Sequence, residues 1–276
     1  MTGSADRKPV AVITGASSGI GLAAAIELGR RGWRVAVLGR DPGRLATALD
    51  QVREVAAVPP QAYESDFSSF AQVRRVAAQL RDDYDRIDVL ANNAGGNVGA
   101  RRSTVDGFEE TIQSNHLAHF LLSHELRDRL AGGRIVNTSS RVHAQGRLDP
   151  DDLNCANRSF SSLGFYANAK QANVLFTVEA TRRWPEIVST AFHPGVVRTR
   201  FGRENPIYSV FYRFAPGLRT PERGARTLVY LATAERASLV PGGYYVDERP
   251  QRAADRATDP ARAERLWLAS AKAVGV

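Results

Sequence analysis

Short runs of β-branched and small apolar residues alternate with amphipathic helical patterns along the chain. This alternation is typical of a parallel sheet whose two faces are covered by helices. The predicted strands are Val10–Thr14, Arg34–Gly39, Ala62–Ser65, Asp88–Ala91, Arg134–Thr138, Val188–Phe192 and Gly243–Val246. No internal repeat, low-complexity block or linker divides the 276 residues. We therefore predict an α/β protein with a single domain over residues 1–276, built on a doubly wound sheet of about seven parallel strands.

The composition is that of an ordinary globular protein, with 43% hydrophobic and 24% charged residues. A formal net charge of +8 raises the question of a nucleic-acid partner. The arginines, however, are scattered along the whole length, so no nucleic-acid partner is predicted. The same positive field favours small anionic ligands such as phosphorylated cofactors.

Cysteine content and hydropathy bound the cellular setting. The single cysteine, Cys155, excludes an intramolecular disulfide and fits a reducing compartment. The first nine residues are polar, and no run of about 18 apolar residues occurs anywhere, which argues against a signal peptide and a membrane span. We therefore expect a cytoplasmic protein.

A glycine-rich turn follows the first predicted strand and leads into an alanine-rich helix. Glycines in such a turn allow a tight bend and a close backbone approach to a pyrophosphate, which then faces the helix N-terminus. The spacing is G-x-x-x-G-x-G instead of the commoner G-x-G-x-x-G. The pattern predicts a dinucleotide-binding turn in a Rossmann-type sheet, formed by Gly15, Ser17, Ser18, Gly19, Ile20 and Gly21.

The end of the second strand bears on cofactor choice. Folds of this type that prefer NAD carry an acid here for the ribose 2'-hydroxyl, whereas this chain has Arg40. Because a guanidinium can pair with a 2'-phosphate, we predict a preference for NADP(H) over NAD(H). An acid, Asp41, follows directly and argues against this preference.

Polar residues also follow the third and fourth strands. Asp66 and Phe67 come just after the third strand, where Asp66 could accept from an adenine amino group or cap the helix beginning near Ser69. Asn93, Ala94 and Gly95 follow the fourth strand, where an edge of the cofactor would lie.

A helical stretch is predicted from Thr104 to Leu130, with Asn115 in its middle. Asparagine is a poor residue for a helix interior, so Asn115 either faces water or bonds something specific. Three histidines in the same stretch, His116, His119 and His124, match no metal template and are interpreted as surface or packing residues. No metal site is predicted.

The fifth and sixth strands end in candidate site residues. Ser140 would point its hydroxyl into the crevice, although serines at strand ends are often structural. The turn after the sixth strand contains Pro194, Gly195, Val197 and Thr199 and could press against the reactive ring of the cofactor. His193, inside the strand end, is interpreted as structural.

Tyr166 and Lys170 lie four residues apart, which places them on one face of a helix. A free tyrosine has a pKa of about 10, and a neighbouring cation stabilises its phenolate. By itself this pair is common in amphipathic helices. Only Lys8, Lys170 and Lys272 among the 37 basic residues are lysines, however, so a lysine at this position is unusual for the chain.

Taken in order, these motifs resemble those of the short-chain dehydrogenase/reductase family over nearly the whole chain. They comprise the glycine-rich turn, Asn-Asn-Ala-Gly, Asn115, Ser140, Tyr-Ala-Asn-Ala-Lys and Pro-Gly-Val-Val-Arg-Thr. The segments Thr104–Glu109, Asn115–Leu122 and Tyr244–Asp247 are similar to the retinol dehydrogenase-like branch. Many members of that branch begin with a membrane anchor, which this sequence does not show, so retinoid chemistry is not carried over.

The resemblance implies a role for each catalytic candidate. Tyr166 would give a proton to the carbonyl oxygen or take it back, and Lys170 would lower the pKa of Tyr166 and hold the nicotinamide ribose. Ser140 would polarise the substrate carbonyl, and Asn115 would anchor a water in a proton relay to Lys170. The reaction implied is hydride transfer between nicotinamide and a small-molecule ketone or aldehyde, with the alcohol as the substrate in reverse.

The resemblance also distributes the cofactor. The glycine turn would hold the pyrophosphate, Arg40 and Asp66 the adenosine end, Asn93–Gly95 the middle, and Val197 with Thr199 the carboxamide. A rival interpretation is an NADP(H)-binding sensor or regulatory protein without turnover.

An aromatic segment follows the Pro-Gly turn and contains Phe201, Tyr208, Phe211, Tyr212 and Phe214. In the family it closes over the substrate, so we expect a lid at about residues 200–220 and a bulky apolar or ring-containing substrate. The same aromatics could instead pack a short helix or a subunit interface, which leaves a homo-oligomer open. The last stretch, Asp259–Val276, is expected to be an amphipathic packing helix.

Overall fold

The computed structural model describes residues 7–156, 158–197 and 218–276. Thr199 and the predicted lid aromatics therefore lie outside the described residues. The strands are β1 (Val10–Ile13), β2 (Arg34–Gly39), β3 (Gln61–Glu64), β4 (Val89–Asn92), β5 (Arg134–Thr138), β6 (Val188–His193), β7 (Tyr244–Val246) and β8 (Arg249–Gln251). They form one sheet in the order β3-β2-β1-β4-β5-β6-β7-β8.

The first seven strands are parallel to their neighbours, which confirms the predicted doubly wound α/β sheet. The strand β8 pairs antiparallel with β7 and was not predicted. Its three residues are exposed and include Pro250, so they lack the apolar pattern by which a strand is recognised. The strand order reverses between β1 and β4, and ligands of such sheets bind in the crevice beyond the strand ends at that point.

Helices cover both faces of the sheet. They are α1 (Gly19–Arg30), α2 (Pro42–Arg53), α3 (Phe70–Asp83), α4 (Glu110–Ile112), a π-helical turn (Gln113–Leu117), α5 (Ala118–Glu125), α6 (Ser162–Arg183), α7 (Pro221–Thr233), α8 (Asp255–Thr258) and α9 (Pro260–Val274). Two 3₁₀ turns, Arg141–Gln145 and Arg236–Ser238, complete the described elements. The predicted C-terminal helix is confirmed as α9, with Asp259 accepting a bond from the backbone N–H of Arg262 at 2.7 Å.

The helix predicted over Thr104–Leu130 is shorter than expected. The backbone N–H of Thr104 donates to the carbonyl of Phe108 at 2.8 Å, which closes a turn before the helix. The carboxylate of Glu109 then caps α4 by accepting from the N–H of Ile112 at 3.0 Å. Polar residues at the start of this stretch thus form a turn that periodicity alone did not separate from the helix.

Alternate residues of the central strands pack against opposite helical layers. Val10 and Val12 of β1 belong to a core with Phe120, Trp184 and Trp267 on the side of α5, α6 and α9. Their neighbours Ala11 and Ile13 pack with residues of α1 and α7 on the other side. Since side chains alternate along a strand, burial of every β1 residue requires a helical layer on each face.

Candidate active site

A cavity of about 740 Å³ lies beyond the carboxyl ends of the parallel strands. Most of the predicted site residues line it. They are Gly15, Ser17, Ser18, Gly19, Ile20, Arg40, Asp66, Phe67, Asn93, Ala94, Gly95, Ser140, Tyr166, Lys170, Pro194, Gly195 and Val197. Two predicted residues, Gly21 and Asn115, are not on the cavity wall but directly behind it.

The glycine-rich turn after β1 lies in direct contact with the turn after β4. Gly15 has φ +66°, and a Cβ on it would lie 2.8 Å from the Cα of Ala94. A Cβ on Gly21 would lie 2.6 Å from both Asn93 Nδ2 and the carbonyl oxygen of Gly15. These glycines therefore let two backbone segments approach so closely that both face the same cavity.

Thr14 fixes the relative position of these two turns. Its Oγ1 accepts from the backbone N–H of Asn93 at 2.8 Å and from that of Ala94 at 2.9 Å. In return, the side-chain amide of Asn93 donates to the carbonyl of Thr14 at 2.9 Å. The predicted cofactor residues of the two strands thus form one hydrogen-bonded unit.

Two arginines line the cavity at the end of β2. Arg40 was predicted, whereas Arg44 was missed. Asp41 caps α2 by accepting from the N–H of Arg44 at 2.8 Å, and its other oxygen lies 3.3 Å from Arg44 Nη2. The Asp-Pro start of a helix is a recognisable N-cap signal, and it could have placed Arg44 on the first turn beside Arg40.

Asp66 does not cap the helix α3. Ser69 is the N-cap residue of α3, and its hydroxyl accepts from the N–H of Gln72 at 3.4 Å. Asp66 Oδ1 instead accepts from the N–H of Ser68 at 3.0 Å and closes the turn that lines the cavity. The interpretation of Asp66 as the cap of α3 is therefore wrong.

Asn115 lies within the π-helical turn and is fully buried. Its amide donates to the carbonyls of Gly96 at 3.0 Å and Thr111 at 2.9 Å. Gly95, at φ +149°, packs so closely that a Cβ would lie 2.3 Å from Asn115 Oδ1 and 3.5 Å from Lys170 Nζ. Of the two alternatives, Asn115 bonds specific partners and is not exposed to bulk solvent.

Tyr166 and Lys170 lie on α6 beside the end of β5. Lys170 is 3% exposed, and its Nζ donates to the carbonyl of Thr138 at 3.1 Å. The same Nζ lies 5.3 Å from the ring centroid of Tyr166. Burial lowers the pKa of Lys170 to about 7, because the charged ammonium loses its hydration.

Side-chain bonds join the end of β5 to α6. Asn173 Nδ2 donates to the same Thr138 carbonyl at 3.1 Å, and Ser139 Oγ donates to the carbonyl of Lys170 at 2.8 Å. Ser140 comes next and starts the 3₁₀ turn by accepting from the N–H of Val142 at 3.4 Å. The three predicted catalytic groups Ser140, Tyr166 and Lys170 consequently share one wall of the cavity.

The turn after β6 is supported by Arg219. Gly195 has φ +88°, and a Cβ there would lie 2.5 Å from the Cδ of Arg219. The N–H of Arg219 donates to the carbonyl of Val196 at 2.8 Å, and its guanidinium pairs with Asp247. His193 also lines the cavity, and burial lowers its pKa to about 4, so the ring is neutral at pH 7.

The cavity has an apolar portion that the sequence did not reveal. Val98, Val142, Leu163 and Val196 line it, and two of them are strongly exposed, Leu163 at 41% and Val196 at 50%. Exposed large apolar side chains beside a cavity are typical of a binding surface. Helical spacing could have indicated Leu163, three residues before Tyr166.

Neither a membrane-spanning helix nor a metal-binding group is found in the part of the chain that the structure describes. No helix within residues 7–156, 158–197 and 218–276 is long and apolar enough to cross a membrane. The same residues contain no group of three or more His, Cys, Asp or Glu placed to hold a metal ion. The expected cytoplasmic location and the open question of a homo-oligomer stay predictions.

The family model described as short chain dehydrogenase matches residues 9–206. The chain belongs to the short-chain dehydrogenase/reductase family. Members of this family are oxidoreductases, so the protein is an enzyme that uses a nicotinamide cofactor and a small-molecule substrate.

Two curated relatives of this short-chain dehydrogenase cover nearly the whole chain. A Streptomyces sp. (strain C5) protein, described as a candidate daunorubicin C-13 ketoreductase, is 50% identical over 264 residues, which are 96% of this chain and 92% of that protein. Retinol dehydrogenase 13 of Homo sapiens is 37% identical over 278 residues, covering 96% of this chain and 84% of that protein. The predicted resemblance to the retinol dehydrogenase-like branch is confirmed.

A solved structure supports the fold. The short-chain dehydrogenase from Sphingobium yanoikuyae in complex with NADPH has a TM-score of 0.65 and 26% sequence identity to this chain. The match covers 80% of this chain and 82% of that one. The chain thus shares its architecture with an enzyme whose structure contains NADPH.

Proposed function

We propose that this short-chain dehydrogenase/reductase is an NADP(H)-dependent enzyme that interconverts a ketone or aldehyde with its alcohol. One observation carries the proposal. Ser140, Tyr166 and Lys170 share one cavity wall, and the backbone between Thr138 and Ser140 is bonded to α6 through Lys170 itself. The glycine-rich turn after β1 lines the same cavity and supplies backbone N–H groups for a pyrophosphate.

Each catalytic residue has a task in this proposal. Tyr166 gives a proton to the carbonyl oxygen during reduction and takes it from the alcohol during oxidation. Ser140 donates a hydrogen bond to the same oxygen and stabilises the negative charge that develops there. The bound nicotinamide supplies or accepts the hydride.

Lys170 is proposed to assist proton transfer by Tyr166. A cation beside a phenol favours the phenolate, so Lys170 lowers the cost of removing the proton from Tyr166. Because burial brings the pKa of Lys170 to about 7, this group can hold or release a proton near neutral pH. Asn115 would anchor a water that connects Lys170 to solvent, in keeping with its position against Gly95 and Lys170.

The preference for NADP(H) is supported by two guanidinium groups at the end of β2. Arg40 and Arg44 both line the cavity, and Ser17 lies beside them, since a Cβ on Gly39 would be 3.1 Å from its Oγ. Asp41 is engaged as the cap of α2 and as the ion-pair partner of Arg44. A 2'-phosphate would therefore meet two cations, whereas a ribose hydroxyl of NAD(H) would lack the usual acid.

The substrate is proposed to be a bulky, apolar or ring-containing ketone. The apolar portion of the cavity, formed by Val98, Val142, Leu163 and Val196, supports this class. The relative described as a candidate daunorubicin C-13 ketoreductase points to the same class. The aromatic residues of the lid predicted at about residues 200–220 lie outside the described residues.

Replacement of Tyr166 by Phe tests the proposal. We expect NADPH oxidation with a panel of aromatic and aliphatic ketones and aldehydes in the wild type, and a loss of roughly three orders of magnitude in kcat in Tyr166→Phe. Tyr230→Phe, outside the cavity lining, is the matched control. Activity retained in Tyr166→Phe would refute the catalytic assignment.

The rival function, an NADP(H)-binding sensor, predicts a different combination of results. A sensor would bind NADPH in calorimetry but oxidise it with no member of the panel, in the wild type as in Tyr166→Phe. Turnover that depends on the Tyr166 hydroxyl would exclude this rival.

A further inference from the structure

His119 lies at a buried junction between the two turns that the proposed function assigns to the cofactor and the π-helical turn that carries Asn115. It belongs to α5, it is 1% exposed, and it was interpreted from the sequence as a surface or packing residue. We propose that His119 is a positioning residue that locks the backbone carbonyl of Asn115 to Thr14, and through Thr14 to the turn after β4. The inference rests on the proposed roles of Asn115 and of the turn residues Asn93 and Ala94.

Both ring nitrogens of His119 have partners. Nδ1 lies 3.1 Å from the carbonyl oxygen of Asn115, and Nε2 lies 3.1 Å from Oγ1 of Thr14. A carbonyl oxygen can only accept, so Nδ1 must carry the hydrogen and donate to Asn115. The hydroxyl of Thr14 determines the state of the other nitrogen.

The Thr14 hydroxyl can accept two hydrogen bonds, and both are taken. The backbone N–H groups of Asn93 and Ala94 donate to Oγ1 at 2.8 and 2.9 Å. No acceptor position is left for a third donor, so Nε2 of His119 must be unprotonated, and at 3.1 Å it is placed to accept from the hydroxyl. The single hydroxyl hydrogen has one alternative acceptor, the carbonyl of Ala91 at 3.1 Å.

Hydrogen counting therefore permits one neutral tautomer of His119, with the hydrogen on Nδ1. A second proton on Nε2 would face an oxygen that has nothing left to accept it with. Burial acts in the same direction and lowers the pKa of His119 to about 3. The ring stays neutral over the whole physiological range, so it acts here through geometry and does not titrate.

The hydrogen-bond chain joins two functional parts behind the cavity wall. At one end, the chain holds the backbone carbonyl of Asn115 within the π-helical turn. The side chain of Asn115 contacts Gly95 and donates to the carbonyl of Gly96. At the other end, Thr14 holds the backbone of the turn after β4. The His119 ring also packs in a T-shaped arrangement with Phe67, a cavity residue, at a centroid distance of 5.0 Å. Loss of His119 would consequently leave the relay residue and the cofactor turn able to shift independently of each other.

Two conservative variants separate the two ends of the chain. In His119→Asn, the amide reaches the place of Nδ1 and can still donate to Asn115, but nothing contacts Thr14. In His119→Gln, the longer side chain reaches the place of Nε2 and can still accept from Thr14, but the donor to Asn115 is lost. We expect the dissociation constant for NADPH to rise about tenfold in His119→Asn with kcat nearly unchanged, and kcat to fall about tenfold in His119→Gln with NADPH affinity nearly unchanged.

His116→Leu is the matched control for His119→Leu. His116 lies on the π-helical turn that carries Asn115 and is also 1% exposed, but its Nε2 lies 2.9 Å from Oγ of Ser270 on α9, and neither residue lines the cavity. Both leucine variants should lose stability, and only His119→Leu should lose NADPH affinity and turnover together. Equal effects of the two leucine variants on NADPH affinity and kcat would overturn the proposal.

Nitrogen NMR of the wild-type imidazoles tests the hydrogen-bond chain through His119. This test depends neither on the folding of a variant nor on turnover. The expected result is a His119 ring with its hydrogen on Nδ1 and no titration between pH 8 and about 4. A hydrogen on Nε2, or titration near pH 6.5, would overturn the proposal. NADPH affinity and the tautomer are both measured in the absence of catalysis, so failure here is distinct from failure of the Tyr166→Phe test.

Discussion

The wall formed by β5 and α6 is buried and tightly bonded, whereas the rim at the end of β2 is exposed and held by an ion pair. Lys170 is 3% exposed and shares the carbonyl of Thr138 with Asn173. At the rim, the side chains of Arg44 and Asp41 are 40% and 44% exposed. Proton transfer requires groups fixed within hydrogen-bond distance, while attraction of a phosphate requires mainly charge. The two regions should therefore respond differently to substitution, pH and salt.

The largest effect is expected from Lys170→Arg in the buried wall. Lys170 lines the cavity from a buried position where its ammonium donates to the Thr138 carbonyl, and a planar guanidinium with five N–H donors cannot reproduce that geometry. We expect kcat to fall by roughly three orders of magnitude although the positive charge is retained. Steady-state assays with NADPH and an accepted ketone measure this. The control is Lys272→Arg on α9, and a Lys170→Arg variant as active as that control would show that charge alone is needed in the wall.

A second, smaller effect should appear in the pH dependence of stability. Burial lowers the pKa of His116 to about 4, below the value of about 6.5 in the unfolded chain. Between these values the unfolded chain binds more protons than the folded protein, so the free energy of unfolding falls as the pH drops below 6.5. Between pH 6.5 and 4.5, the free energy of unfolding should therefore fall by about 2 kcal/mol less in His116→Leu than in the wild type. Urea unfolding at each pH measures this difference.

The exposed rim supplies the contrast for that experiment. Arg40→Ala should show the same dependence of stability on pH as the wild type, because Arg40 is not among the groups that shift the pKa of His116 or His119. An Arg40→Ala protein with an altered slope between pH 6.5 and 4.5 would show that the rim is electrostatically coupled to the buried histidines.

The sequence was informative where chemistry depends on local spacing and strand order. The glycine turn, Ser140, Tyr166 and Lys170 could be predicted because each follows a strand or shares a helix face. The seven parallel strands followed from apolar periodicity, whereas β8 is too short and polar to produce it. The start of the helix predicted at Thr104 was wrong because a hydrogen-bonded turn and the first turn of a helix can have the same composition.

The contacts that the sequence did not reveal depend on pairs far apart in the chain. His119 and Thr14 are 105 residues apart in the sequence, and Arg219 lies well after Gly195, which it supports. His119 and Thr14 are buried, which makes their hydrogen-bond partners important, yet neither this pair nor Arg219 has a local signature in the sequence. The role of His119 thus required the folded arrangement of β1, β4 and α5.

The smallest effects are expected at the rim, from Arg40→Ala and Arg44→Ala. Each removes one cation from the proposed 2'-phosphate site. NADPH affinity should fall about tenfold for Arg40→Ala and less for Arg44→Ala, because the charge of Arg44 is partly offset by its ion pair with Asp41. NADH affinity should stay unchanged in both variants, because NADH has no phosphate at that position. Calorimetric titrations at low and high salt measure both predictions, and added salt should narrow the difference between wild type and variants because exposed charges are screened. Equal losses for NADPH and NADH would show that these arginines support the turn after β2 and do not select the cofactor.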